Sequence, residues 1–522
     1  MKLYDLMTDN RRENILVGSK KPVFSWRVET EKRNVHQESY RVQVWDEQGN
    51  SVWDSGTVEA SRMAGIQYEG KELQSGKRMT WHVSCIFSSD EGVITAEEES
   101  SFETAYHNRE DWKGKFIGET KDHEYHLYRK KFGCKKAVKL AKLYVCGMGA
   151  FECWINGERV SDHVMEPGWT DFRRTCFYTA YDVSEYFAEG ENTENIILVK
   201  LGDCMFNVPG GRYVYFQRSY GKAKLLCQLE LVYEDGSREY VVTDESWKRA
   251  KSPIEFCCIY GGEDFDGKRW TREYLTSEAS EIWEAAVCVE PPLGELKPAP
   301  MEPLRVKEIY QPVSVREVET GVWQYDLGKN FSGWARIFLK TNGSRAGQKV
   351  VLKTAEKLDE NGRIDQSVTG KDYAWTYVLN DKKEQEFAPD FTYTGFRYVE
   401  MTGAVPGKEI SLQGEFIYPD VDQAGDFCCS NTLFNQIHKI ILQAIKSNTK
   451  SYFTDCPHRE KLGWLEQTHL IGPSIMYNLD VHNLYTKIEG DMADSQRENG
   501  LIPDICPEYV TGFDKWHKGF LD

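Results

Sequence analysis

The feature that most constrains this chain is a change of hydrophobic period near residue 428. Before it, bulky residues alternate with a period of two. Phe24, Trp26 and Val28 form one such set, Tyr40, Val42 and Val44 a second, and Trp81, Val83, Cys85 and Phe87 a third. Alternation of this kind puts each set on one face of a half-buried strand. Turn formers at 47–50 and 89–92 separate the runs. After Ser430 the apolar positions become Leu433, Phe434, Ile437, Ile440, Ile441, Ala444 and Ile445. That spacing predicts an amphipathic helix to about Lys446, with Ser430 as its N-cap. Further helices are predicted over 466–477 and 481–496, and Pro473 must kink or break the first of them.

At roughly 150 residues per domain, 522 residues suggest three or four domains. The sequence divides into three β segments, 1–105, 114–295 and 303–420, and a helical segment, 428–522. A polar stretch at 105–113 and a proline-rich one at 290–300 read as linkers. Within the second segment two strand-like runs flank Asn156-Gly157, a dipeptide that is the strongest short hairpin signal. The fold class is therefore multidomain and mainly β, ending in helices.

Composition narrows the partners. Asp and Glu number 82 against 65 Lys and Arg, a net charge of −17, which argues against nucleic acid or an anionic membrane surface. No apolar run reaches the ~18 residues of a membrane span. The opening MKLYDLMTDNRRENILVG carries charges where a signal peptide has its apolar core, so the expectation is a cytoplasmic protein. The 14 cysteines are scattered, with no C-x-x-C and no zinc-like spacing, and read as reduced thiols. No metal site and no cofactor is expected. Aromatic residues reach 13%, which suits β cores and also sugar sites, where rings stack on apolar sugar faces.

The segment 454–467 reads T-D-C-P-H-R-E-K-L-G-W-L-E-Q. It concentrates Asp455, His458, Arg459, Glu460, Trp464 and Glu466 in a loop that opens onto a helix. Glycoside hydrolysis needs a protonated carboxylic acid for the leaving oxygen and a second carboxylate for water or attack. On residue chemistry alone the cluster reads either as such a site or as a structural ion-pair network. His458 has no second ligand at metal spacing, so a structural or substrate contact is the better reading for it.

Asp455, Cys456, Pro457, Arg459, Glu460, Gly463 and Trp464 together resemble the signature of glycoside hydrolase family 78, the bacterial α-L-rhamnosidases. The order of segments is also similar to that family. The first resembles a fibronectin type III-like sandwich, the second a galactose-binding-like jelly roll, the third a concanavalin-like sandwich, and the last the start of an (α/α)6 barrel. The resemblance implies removal of terminal α-L-rhamnose from an oligosaccharide or plant glycoside by an inverting mechanism, with Glu460 as general acid. Asp455 and Arg459 would contact sugar hydroxyls and Trp464 would pack on the apolar side of the sugar. A general acid needs its pKa raised toward the working pH, so the guanidinium of Arg459 is expected to turn toward Asp455.

Two features depart from the family pattern. Gln467 stands where many members have an Asp, leaving a hydrogen-bonding but uncharged contact, with Glu466 beside it. And twelve barrel helices need roughly 300 residues, so the chain is expected to be an incomplete and impaired form of the enzyme, without the general base. Asp504 and Glu508, in L-I-P-D-I-C-P-E-Y, read equally as substrate contacts or as loop structure. Two alternatives stay open: a same-fold glycosidase for another terminal sugar, and a non-catalytic carbohydrate-binding protein built from the β modules. A homo-oligomer is allowed by the sequence.

Overall fold

The computed structural model describes residues 1–12, 16–121, 124–187, 194–208, 210, 212, 217–275, 282–341, 343, 345–369 and 372–509. Its chain falls into two compact units.

The first unit holds residues 1–113 with 178–182 and 296–300. Strands Lys2–Thr8, Val23–Glu29 and Ile66–Gln67 make a three-stranded sheet, and a five-stranded sheet is built around His36–Asp46, Arg78–Ser89 and Gly92–Glu103. The alternation explains the pairing. Val42 lies opposite Val83 and Val44 opposite Trp81, and all four are fully buried with Phe24 and Phe87. The rings of Phe24 and Trp81 lie 4.7 Å apart. The stretch at 105–113 is not a free linker. Trp112 and Tyr106 are buried against Tyr178, whose hydroxyl donates to the Tyr106 carbonyl at 2.9 Å. Likewise Glu295–Pro298, inside the proline-rich stretch, is a strand.

The second unit holds 114–177, 183–295 and 301–522. One six-stranded sheet runs in the order Glu158–Arg159, Ala150–Ile155, Glu194–Gly202, His126–Gly133, Lys248–Lys251, Glu284–Ala285. Its predicted hairpin forms at Asn156-Gly157, where both residues have positive φ (49° and 94°), as a two-residue turn of this kind requires. A second sheet contains Val138–Met148 paired with Lys224–Tyr233.

A ten-stranded sheet follows, organised on the 19-residue strand Val322–Lys340. This strand pairs with Thr394–Thr402 and Ile410–Pro419, and its register shifts between Asp326 and Phe331. Strand Gly262–Asp266 joins the same sheet by parallel pairing with Ala374–Val378. The sheet therefore reaches back across the proline-rich stretch and ties residues near 260 to the third β segment.

Four helices complete the described residues: α1 (Thr432–Asn448), α2 (Leu465–Leu470), α3 (Gly472–Asn478) and α4 (His482–Ser495). Asn431, rather than Ser430, caps α1, its side chain accepting from the amides of Leu433 and Phe434. The chain breaks between α2 and α3 at Ile471, with Pro473 in the first turn of α3, where a missing N–H costs nothing. The stripe of α4 is buried at Leu484 and Ile488. The stripe of α1 is not. Leu433, Phe434, Ile437, Ile440, Ile441 and Ala444 are all exposed, and Ile445 is the one buried apolar residue of the predicted set.

Candidate active site

The loop between α1 and α2 closes on itself and then docks on β structure. Thr454 donates its amide to the Asn448 carbonyl at 2.8 Å, tying the loop to the end of α1. The Asp455 amide donates to the Leu462 carbonyl, and the Leu462 amide returns to Asp455 Oδ1, each at 3.1 Å. Residues 455–462 are thereby a closed turn. Its outer face rests on strand Thr394–Thr402, where the Gly395 amide donates to the Pro457 carbonyl at 3.0 Å. A Cβ at Gly395 would lie 2.6 Å from Pro457 Cγ, so only glycine permits this approach. On the other side the loop meets residues 504–506. Cys506 donates to the Gly463 carbonyl at 2.9 Å, and Leu465 donates to the Asp504 carbonyl at 2.8 Å. A Cβ at Gly463 would sit 2.2 Å from the Cys506 oxygen.

Glu460 occupies the rim of this turn with its side chain 19% exposed. Arg459 Nη2 donates to Glu460 Oε1 at 2.8 Å, and Trp464 Nε1 donates to Oε2 at 2.9 Å. The Tyr260 hydroxyl donates to the Glu460 carbonyl at 2.6 Å. Arg459 therefore turns on Glu460 and not toward Asp455, contrary to the sequence expectation. The reason is local: Asp455 is mostly buried and already accepts a backbone amide, whereas the Arg459 side chain is more than half exposed and free to reach its neighbour. Asp455 is the carboxyl whose proton is held. Burial, reinforced by the charge of Glu460, pushes its pKa from 3.8 up to about 6.

The remaining sequence candidates divide. Trp464 precedes the first turn of α2 and presents its indole N–H to Glu460, so one ring edge is committed to the carboxyl. Gln467, half-buried in α2, leaves its Oε1 without a hydrogen-bond partner. Glu466 is exposed in the first turn of α2, where the helix dipole favours it. Asp504 is exposed and brought beside Trp464 by the pairing of Trp464 with Ile505. Glu508 is held elsewhere, in an ion pair with Arg173 at 2.7 Å that also engages Asp171. His458 lies 3.6 Å from Glu356 on the β side, and burial holds its pKa below the usual histidine range. Among the described residues no group of three or more His, Cys, Asp or Glu is arranged to hold a metal ion.

Sequence reasoning missed Tyr260, Tyr393, Glu356 and Lys461. Only Lys461 carried a signal: a charged residue inside an otherwise closed motif, next to Glu460.

Four family descriptions match in sequence order. Residues 3–108 match a Rha78A-like N-terminal immunoglobulin domain, and 136–308 the alpha-L-rhamnosidase N-terminal domain. Residues 316–418 match the bacterial alpha-L-rhamnosidase concanavalin-like domain, and 422–520 the bacterial alpha-L-rhamnosidase 6 hairpin glycosidase domain. The chain belongs to the bacterial α-L-rhamnosidase family. An α-L-rhamnosidase of Formosa agariphila is 28% identical over 94% of this chain and 55% of its own length. The structure of α-L-rhamnosidase from Dictyoglumus thermophilum shares 33% identity with a TM-score of 0.89, covering 98% of this chain and 59% of that one. That of Streptomyces avermitilis, solved with L-rhamnose, shares the fold at a TM-score of 0.90 and 20% identity, over 98% of this chain and 66% of that one. The chain thus spans little more than half the length of the first two rhamnosidases.

Proposed function

We propose that this chain carries the proton-donating and sugar-recognising half of an α-L-rhamnosidase site, acting on a terminal α-L-rhamnose of an oligosaccharide or plant glycoside. The observation that carries the reading is the Glu460 carboxyl. It stands at the rim of a closed loop, held between Arg459 and the Trp464 indole, in a segment that matches the six-hairpin glycosidase description. Glu460 protonates the leaving oxygen. To do so it gives up its ion pair with Arg459, and sugar hydroxyls take over that guanidinium. Asp455 and Gln467 line the same sugar, and the unpartnered Gln467 Oε1 accepts one of its hydroxyls. Asp504 contributes from the loop beside Trp464. Inversion places the attacking water opposite Glu460, with acid and base about 6.5–9.5 Å apart. We assign the base to none of the described residues.

The test compares the unaltered chain with Glu460→Gln on an alkyl and a dinitrophenyl α-L-rhamnoside, measuring released L-rhamnose. An acid catalyst matters most when the leaving group is poor. The expected loss is about 10²–10⁴-fold on the alkyl glycoside and far less on the dinitrophenyl one. Full activity of Glu460→Gln on both would overturn the assignment.

A further inference from the structure

Five lysines are buried among the described residues, and two of them differ from Lys200 and Lys487. Lys200 sits between Glu152 and Asp390, and Lys487 against Asp491. Lys450 and Lys461 have no carboxylate partner among the described residues. They lie on the same ring, with their ammonium groups 5.0 and 4.7 Å from the centre of Tyr393. Lys450 donates to Ser332 Oγ and to the carbonyls of Ile417, Ser447 and Thr449, and so closes the end of α1. Lys461 is the residue after Glu460. Its Nζ donates to the carbonyls of Ile259 and Tyr393, and the rings of Tyr260 and Tyr373 complete its cage.

Lys461 is costly in two ways. Its φ of +52° lies in the left-handed region, where a glycine would sit without strain. Its ammonium is fully buried with no counter-charge, which pushes its pKa down to about 7. Costs of this kind persist where the surroundings over-determine the conformation and use it. What surrounds Lys461 is a set of restraints on two successive peptides, 460–461 and 461–462. The Tyr260 hydroxyl holds the Glu460 carbonyl, and the Tyr452 hydroxyl holds the Lys461 carbonyl, each at 2.6 Å. The Lys461 side chain itself reaches to β residues near 259 and 393. The Glu460 side chain projects from the start of the first of these peptides toward Trp464.

We propose that Lys461 is the positioning residue of Glu460: its buried ammonium pins the 460–461 peptide to the β residues Ile259 and Tyr393, and this aims the Glu460 carboxyl at Trp464. Lys450, equally buried on the same ring, is only a closure of the helix end. The inference rests on the reading of Glu460 as the acid for its functional meaning, but its geometry can be tested without catalysis.

The probe is the Trp464 indole, whose N–H is bonded to Glu460. Its emission is isolated in the full chain, without sugar, as the difference between each protein and the same protein carrying Trp464→Phe. Lys461→Met keeps the apolar stem and removes the donors. It is expected to red-shift the Trp464 component and to raise its acrylamide quenching about twofold. Lys450→Met is expected to lower Tm and leave the Trp464 component where it was. Tyr260→Phe keeps the ring and loses the hydroxyl that holds Glu460, and is expected to shift Trp464 in the same direction by less. A Trp464 component unchanged in Lys461→Met, or changed equally by Lys450→Met, overturns the proposal. If Lys461→Met does not fold, Tyr260→Phe carries the test, and an unchanged Trp464 there overturns it. A chain that fails to release L-rhamnose leaves this result standing, so the two readings fail separately.

Discussion

Helix α1 and the loop that follows it are neighbours in sequence with opposite relations to water. In the helix the apolar residues are outside: Leu433, Phe434 and Ile440 are 58%, 55% and 69% exposed. In the loop the polar ones are inside: Lys450, Lys461, Ser451 and Thr454 are buried along with Tyr452, Phe453 and Leu462. The difference shows where each segment gets its structure. The loop is shaped by the ten-stranded sheet and the residues near 260, and every restraint on Glu460 comes from those elements or from the loop itself. The helix is shaped by its own backbone bonds and its Asn431 cap, with β contacts only toward its C-terminal end at Gln443, Lys446 and Ser447, and the described residues leave its apolar face uncovered. A site whose proposed acid sits on the loop is thus organised by β structure before any helix packing is considered.

Four changes, the last of them a pair of substitutions, would break or sharpen this contrast. The largest effect is expected from Leu462→Ala, which empties a fully buried position at the base of the loop. A loss of about 2–5 kcal/mol in chemical denaturation is expected, and a loss under 1 kcal/mol would mean that the loop is not packed as described.

Asp455→Asn should act in the other direction. In the folded chain Asp455 keeps its proton up to about pH 6, against 3.8 when unfolded. Below pH 4 both states hold the proton. Between 4 and 6 the unfolded chain releases it while the folded one does not, so stability falls as pH rises, and the penalty is complete above 6. The amide does not titrate. Asp455→Asn is expected to match the unaltered chain at pH 4 and to exceed it at pH 8 by up to about 3 kcal/mol, while losing sugar recognition. Equal stability at both pH values would refute the buried, proton-holding Asp455.

Asn431→Ala removes the side chain that caps α1 and is expected to cost about 1 kcal/mol, read as lost helical ellipticity and a lower Tm. The smallest change in stability belongs to Phe434→Ser with Ile440→Ser. These exposed positions should each alter it by less than about 0.5 kcal/mol while reducing self-association and dye binding. A large destabilisation would show that the face is covered within the chain.

Much of this was legible in the sequence. The period change near 428, the Asn156-Gly157 turn and the break imposed by Pro473 are local signals, and they translate directly into elements. The motif residues of the loop were readable because they are contiguous. What was hidden is non-local. Nothing near Tyr260 announces that its hydroxyl will hold Glu460, 200 residues later in the chain. The parallel pairing of Gly262–Asp266 with Ala374–Val378 crosses a stretch that reads as a linker. The stripe of α1 announced an apolar face, but periodicity says nothing of what covers it. The turn of Arg459 toward Glu460 depended on Asp455 being already engaged, which only the closed loop reveals.

The central claim is that the recognising half of a rhamnose site is already formed on this β-supported loop. Its most direct test is equilibrium titration of the full chain with L-rhamnose, followed by Trp464 emission and set against D-glucose and against the Arg459→Ala and Asp455→Ala variants. The account expects saturable binding of L-rhamnose, not of D-glucose, weakened at least tenfold in both variants. No binding of L-rhamnose, or binding that neither variant weakens, would contradict it.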